Sequence, residues 1–140
     1  MNKLARAYGN MLDREWNYFS TLTYKWPVKQ NSNRKIMDRL ANTLYSKDKK
    51  FEMFWVSEWH RSGSSVHNHL LVKGDITQDI DRFWTSNRLS DKKFISHIKY
   101  EKEKGANFYV AKFSVSMIYF IDNSQYHVFF QDVLFHYLLK

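Results

Sequence analysis

The alternation of apolar and polar residues predicts four strands within the first hundred residues of this 140-residue chain. Short runs rich in β-branched and aromatic residues, bounded by turn-forming residues, are typical of strands. The first run ends at Trp26-Pro27, and the second and third are separated by the turn-like sequence Arg-Ser-Gly-Ser-Ser, which predicts a hairpin. The predicted strands are residues 18–24, 51–59, 66–73 and 93–100.

Two segments between these strands have the three-to-four-residue spacing of an amphipathic helix. Asn31 or Ser32 can cap the first helix, and Thr77 can cap the second. The apolar positions that define the two helix faces are Ile36, Leu40 and Leu44 in the first and Ile80, Phe83 and Trp84 in the second.

The resulting order, β-α-β-β-α-β, predicts an α+β fold of the ferredoxin-like or RRM-like kind, an antiparallel sheet with helices on one face. Residues 101–113 predict a further helix, interrupted early by Gly105. The tail predicts one more strand at 116–121, a turn at 122–124 and a closing amphipathic helix in which Phe130, Leu134 and Leu138 share a face. With four glycines, one proline and no repeat or linker, residues 1–140 are expected to form a single domain.

Composition narrows the class of protein. A hydrophobic content of 44% excludes a disordered chain, and the absence of cysteine excludes disulfides and zinc–thiolate sites. The N-terminal residues contain no apolar signal-peptide core, and the longest uncharged apolar run near the C-terminus, 113–121, is too short to cross a bilayer. We therefore expect a cytoplasmic protein without a membrane segment.

The charge is unevenly distributed. The chain carries a net charge of +8, with +9 on residues 1–112 and −1 on residues 113–140. A basic domain rich in aromatic residues suits a polyanion that also offers flat faces, such as single-stranded nucleic acid, although plain solvation also accounts for surface lysines. Trp26, Trp59 and Trp84 are candidates either for base stacking or for the core. The candidate nucleic-acid contacts are Lys25, Lys49, Lys50, Lys92, Lys93, His97 and Lys99.

The sequence His67-Asn68-His69 lies in the third predicted strand. Because side chains alternate along a strand, the two imidazoles point to the same side, about 7 Å apart, and Asn68 points to the other. Two imidazoles on an open sheet face can chelate one divalent ion, and two ordinary surface histidines are the alternative.

Glu58, near the end of the second predicted strand, adds a carboxylate to this pair. In an antiparallel hairpin Glu58 faces the same side as the histidines whether it lies opposite His67 or His69. A donor set of two imidazoles and one carboxylate suits Mn²⁺ or Mg²⁺ as well as borderline metals. His60 is a further candidate ligand, and an edge carboxylate paired with a lysine is the alternative for Glu58.

Tyr109 and Lys112 are three residues apart in the predicted helix and so share one face. A nearby cation stabilises a phenolate and makes a tyrosine a better nucleophile. A core aromatic residue is the alternative interpretation for Tyr109.

Taken in order, three segments resemble motifs 1, 2 and 3 of the HUH endonucleases: Thr-Leu-Thr-Tyr at 21–24, His-Asn-His-Leu-Leu-Val at 67–72 and Tyr-Val-Ala-Lys-Phe at 109–113. They are most similar to the single-tyrosine Rep proteins that initiate rolling-circle replication of plasmids and small viruses. The resemblance covers residues 18–113. It implies that His67, His69 and Glu58 bind a divalent metal, that Tyr109 is the nucleophile and that Lys112 assists it.

Three features bear on this resemblance. Asn68 stands where a bulky hydrophobic residue is usual, no second tyrosine lies near Tyr109, and no nucleotide-binding loop of a helicase domain follows. The implied activity is site-specific nicking and joining of single-stranded DNA at an origin or hairpin, through a 5′-phosphotyrosine, with a host polymerase or helicase as candidate partners. A non-catalytic single-stranded DNA- or RNA-binding module and a single-tyrosine transposase of the same superfamily are the alternatives.

Overall fold

An antiparallel sheet of six strands organises the part of the chain that the structure describes. The structure is a computed structural model, and it describes residues 13, 15–47 and 49–105 together with the backbone of 117–121 and 126–130. The strand order across the sheet is β4-β1-β3-β2-β5-β6. The strands are β1 (Tyr18–Leu22), β2 (Phe51–Trp59), β3 (Val66–Gly74), β4 (Ile95–Lys99), β5 (Met117–Ile121) and β6 (Tyr126–Phe130).

Two α-helices pack on one face of this sheet. α1 comprises Gln30–Tyr45 and α2 comprises Thr77–Ser86, close to the predicted positions. Each helix buries a stripe of apolar residues against the sheet, as the helical spacing requires. Neither predicted cap is the observed one, because Lys29 and Ile76 occupy the two N-cap positions and no side chain caps either helix. The buried apolar positions are Met37, Leu40, Ala41 and Leu44 in α1 and Ile80, Phe83 and Trp84 in α2.

The arrangement confirms the predicted α+β fold. The four strands β4-β1-β3-β2, with α1 and α2 as the connections after β1 and β3, have the order of a ferredoxin-like sheet, and β5 and β6 extend it beyond β2. Sequence-adjacent β2 and β3 form the predicted hairpin, which is nine residue pairs long. This hairpin is the centre of the sheet and carries the candidate site.

Two predicted elements near the C-terminus are corrected by the structure. The helix expected to start at residue 101 is instead a short 3-10 helix, Lys102–Lys104, that ends at Gly105 with φ of 70°. That backbone conformation is open to glycine and stops the helical turn. The closing helix was expected after residue 124, but β6 occupies 126–130 and pairs with β5. The aromatic and β-branched composition of this segment suits a strand.

Both faces of the sheet are partly apolar. On the helix side, Leu22, Trp55, Leu70 and Val72 belong to the main core. On the other side Phe54, Val56 and Leu71 are also buried, although they lie outside that core cluster. The histidines on this second face therefore stand beside a buried apolar floor and not on a fully solvated surface.

A buried polar cluster explains how Asn68 is accommodated on the helix side. Asn33 of α1 and Asn68 of β3 exchange amide hydrogen bonds of 2.9 and 2.8 Å, and both side chains are fully buried. The Tyr24 hydroxyl donates a third bond of 2.6 Å to the Asn33 carbonyl oxygen. Burial raises the pKa of the Tyr24 phenol, so this group is a neutral donor. Each amide is satisfied by a partner that the sequence places far away.

We expect Asn33→Ala and Asn68→Ala each to lower the free energy of unfolding by about 1–3 kcal/mol, because either change leaves the opposite amide buried without its partner. The double variant should lose less than the sum of the two. Urea unfolding measures all three. Asn31→Ala, at an exposed position of the same helix, should stay within about 0.5 kcal/mol of the parent. Strict additivity of the two buried changes would contradict the amide pairing.

Candidate metal centre

The register of the β2–β3 hairpin brings three metal-ligating side chains together. Glu58 lies directly opposite His67, and Val56 lies opposite His69. Directly opposed residues of an antiparallel pair share a face, so Glu58, His67 and His69 all project from the side that the helices leave uncovered. This is one of the two registers that the sequence allowed.

The donor atoms of the three side chains converge on one point. Glu58 Oε2 lies 3.0 Å from His67 Nε2 and 2.8 Å from His69 Nε2, and the two Nε2 atoms are 3.0 Å apart. A metal–ligand distance of about 2.1 Å places neighbouring ligands of an octahedral ion about 3.0 Å from each other. The triangle of donor atoms therefore fits one face of the coordination sphere of a divalent cation. We call these three residues the triad.

The electrostatics of the triad favour metal binding. Burial lowers the pKa of the His67 and His69 imidazoles, and the charge of His69 lowers that of His67 further. Neutral imidazoles offer a lone pair to a cation, whereas protonated ones repel it. The Glu58 carboxylate supplies the negative charge that an ion at this position requires.

Two residues of β1 fix the orientation of the His69 ring. The Thr21 Oγ1 atom is 3.2 Å from His69 Nδ1, and the Phe19 ring is stacked on the imidazole with centroids 5.5 Å apart. When Nε2 is offered to a metal, Nδ1 carries the proton and donates it to Thr21, an outer-sphere contact of the kind that orients metal-binding histidines. Sequence analysis did not assign this role, although strand alternation places both residues on the triad face.

His60 lies beside the triad but does not join it. Its ring centroid is 4.6 Å from that of His67, yet the group of donor atoms that can share one ion consists of Glu58, His67 and His69 among the described residues. His60 follows the last residue of β2, and its backbone N–H donates to Ser65 across the turn. The second candidate ligand of the sequence is therefore a neighbour of the site.

Comparison with known proteins identifies the family. The model of a family of replication-associated proteins, the ORF2 type, matches residues 17–117. The chain belongs to this family. The match begins just before β1 and includes all three triad residues. Searches of curated proteins and of solved structures give no significant match.

For this replication-associated protein, the predicted nucleophile and its helper stay predictions. Tyr109 and Lys112 lie outside the described residues. Within the described residues, no helix is long and apolar enough to span a membrane.

The candidate nucleic-acid contacts lie at two different ends of the sheet. We call the end at which β1 and β2 finish and β3 and β4 begin the hairpin end. Exposed Lys25, Lys92 and Lys93 lie there, near the triad. Exposed Lys50 and Lys99 lie at the opposite end. Lys49 is at that opposite end too, and it forms a 2.8 Å ion pair with Asp79.

His97 projects toward the helices and away from the triad. Its Nδ1 is 2.7 Å from Ser20 Oγ, and its Nε2 is 2.7 Å from Asp81 Oδ1. The imidazole thus links β4, β1 and α2. A DNA contact by His97 remains a prediction, and the structure gives this side chain a cross-linking position within the fold.

Metal binding to the isolated protein tests the triad directly. We expect Mn²⁺ affinity, measured by calorimetric titration, to fall in His67→Ala and His69→Ala by more than the roughly 10–100-fold that loss of an outer-sphere partner costs. Thr21→Val should fall within that outer-sphere range. His60→Ala is the matched control, and binding that survives removal of His67 but not of His60 would contradict the assignment.

Proposed function

We propose that this chain is a metal-dependent endonuclease and strand transferase that nicks and rejoins single-stranded DNA to initiate rolling-circle replication. The observation that carries the proposal is the convergence of one carboxylate and two imidazole donors within 2.8–3.0 Å, in a member of a family of replication-associated proteins. Binding DNA alone does not require three such donors on one face.

Glu58, His67 and His69 would hold the cation, and their mixed oxygen and nitrogen donors suit Mn²⁺ or Mg²⁺. A cation bound there supplies Lewis-acid polarisation of a phosphate oxygen and a template for the scissile phosphate. Thr21 and Phe19 keep the His69 ring in the orientation that this requires.

The proposed nucleophile is Tyr109. Its phenolic oxygen attacks phosphorus as the bond from phosphorus to the 3′ oxygen breaks. The phenolic proton leaves Tyr109, the departing 3′ oxygen takes up a proton, and the products are a 5′-phosphotyrosine and a free 3′-OH that a polymerase can extend. Lys112 stabilises the phenolate. One phosphate ester replaces another, so the step runs backwards without ATP and rejoins the strand.

Two alternatives explain less of the molecule. A non-catalytic nucleic-acid-binding module accounts for the basic charge and the aromatic residues but gives no role to the triad. A single-tyrosine transposase would use similar chemistry, and the family match to replication-associated proteins favours the replication role.

Tyr109→Phe is expected to reduce the covalent adduct below detection while binding of single-stranded DNA survives, because only the attacking oxygen is removed. The adduct is measured as a denaturant-stable, slower-migrating band after incubation with random-sequence oligonucleotides and Mn²⁺, and sequencing of the attached ends maps the cut. Tyr45→Phe, at an exposed position of α1, is the matched control. An adduct of normal yield in Tyr109→Phe would exclude this tyrosine as the nucleophile.

His69→Ala and chelation by EDTA are both expected to lower the rate of cleavage at least about a hundredfold, since each removes several kcal/mol of charge stabilisation. The rate is measured on the oligonucleotide identified by the adduct sequencing. Full cleavage in EDTA would contradict a role for the metal. Failure of the unmodified protein to form any adduct with Mn²⁺ would favour the binding-module alternative.

A further inference from the structure

Three large aromatic side chains are exposed at the hairpin end of the sheet. Trp26 of the β1–α1 loop is 45% exposed, Trp59 at the end of β2 is 43% exposed, and Phe94 just before β4 is 39% exposed. Trp84, by contrast, is completely buried. The structure therefore separates the tryptophans of the core from those with a ring face open to a ligand.

A lysine ammonium lies over each of these rings. Lys25 Nζ is 5.1 Å from the centroid of Trp26, Lys29 Nζ is 5.8 Å from Trp59, and Lys93 Nζ is 5.2 Å from Phe94. These distances are within the range of a cation–π interaction. We call these six residues the cation–aromatic surface.

The charge around this surface is one-sided. The three connecting segments at the hairpin end, residues 23–29, 60–65 and 87–94, contain one carboxylate, Asp91. Their cations are Lys25, Lys29, Arg61, Arg88, Lys92 and Lys93. Such an excess of positive charge beside exposed rings is complementary to a polyanion with flat bases.

The opposite end of the sheet provides the contrast. There, lysines are paired with carboxylates: Lys49 with Asp79 at 2.8 Å, Lys102 with Asp13 at 3.0 Å and Lys104 with Glu101 at 3.1 Å. The two ends use the same residue type in different ways. The three lysines of the cation–aromatic surface lie over rings, where an incoming phosphate can engage them without first displacing a carboxylate.

Backbone hydrogen bonds hold the three segments of the hairpin end together. The Val66 N–H donates to the Val28 carbonyl at 3.0 Å, and the Val28 N–H donates to Ser65 Oγ at 2.9 Å. The Thr23 N–H donates to the Phe94 carbonyl at 3.2 Å. The rings are thus presented on a connected scaffold, which reduces the ordering cost of binding.

The cation–aromatic surface is continuous with the triad. Trp59 follows Glu58 directly in β2, and Val66 directly precedes His67 in β3. Neighbouring residues of a strand are about 3.3 Å apart and point to opposite faces. A polymer that crosses the triad can therefore pass around the hairpin end and reach Trp59.

We propose that the cation–aromatic surface binds the single-stranded DNA that flanks the cleavage site, with bases stacked on Trp26 and Trp59 and with phosphates paired to Lys25, Lys29 and Lys93. The position of the cleavage site in this statement rests on the proposed function, whereas the binding itself does not. Stacking tolerates any base, so this surface supplies affinity and positioning without specifying a sequence.

Binding is measured by fluorescence anisotropy of a labelled single-stranded oligonucleotide in EDTA, with Tyr109→Phe as the background so that no cleavage occurs. We expect Trp26→Ala and Trp59→Ala each to weaken binding about 5- to 150-fold, the range for loss of one stacked base. Trp26→Phe should restore much of the affinity. Trp59→Leu keeps apolar bulk without the ring, and it should bind as weakly as Trp59→Ala if stacking is the cause.

Two matched controls lie at the opposite end of the sheet. Tyr45→Ala removes an exposed ring, 49% accessible, and should leave the affinity unchanged. Lys25→Gln or Lys93→Gln should make the slope of log affinity against log salt shallower by about 0.7, the value for one phosphate contact on a single strand, whereas Lys49→Gln should not.

Unchanged affinity in both tryptophan variants, an equal loss in Tyr45→Ala, or an equal loss for duplex DNA would overturn the proposal. The adduct assay keeps this result separate from the chemistry. Variants of the surface that lose affinity while the parent protein forms no adduct would leave the binding surface in place and remove the endonuclease.

Discussion

The structure depends above all on the register of the β2–β3 hairpin. With Glu58 opposite His67, strand alternation directs the carboxylate and both imidazoles to one face. A slip of a single residue would send Glu58 to the helix side and bury its charge in the core. The register is held by nine residue pairs and by apolar residues such as Leu70 and Val72, which are buried only when the odd-numbered histidines face the other way. The stability of the core thus also determines the geometry of the triad.

Much of the sheet and of the site could be predicted because it depends on short-range patterns. Alternation alone places His67 and His69 together, and a hairpin with a short turn leaves few registers for Glu58. The role of Thr21 was not recognised, because the strand that pairs with β3 on its other side is 48 residues away from His69 along the chain. The partner of Asn68 was missed for the same reason, since Asn33 belongs to α1 and meets it only in the folded protein.

The errors near the C-terminus have a different cause. In residues 126–130 nearly every position is apolar or aromatic, so a helical and a strand period fit equally well, and pairing with β5 decides the outcome. At residue 105 the glycine was noted as an interruption, but its positive φ ends the turn there. Local sequence therefore identified the central elements well and was ambiguous where a segment has no polar face.

Asn68 stands between the two metal-ligating histidines and points to the opposite face of the sheet, where α1 holds it through Asn33. The strand that carries the ligands is thereby fastened from behind by a helix that never approaches the metal. Any shift of that helix along the sheet would pull on the peptide units linking the two imidazoles and alter the bite of the chelate. The choice of cation in this protein is accordingly a property of its core as much as of its surface.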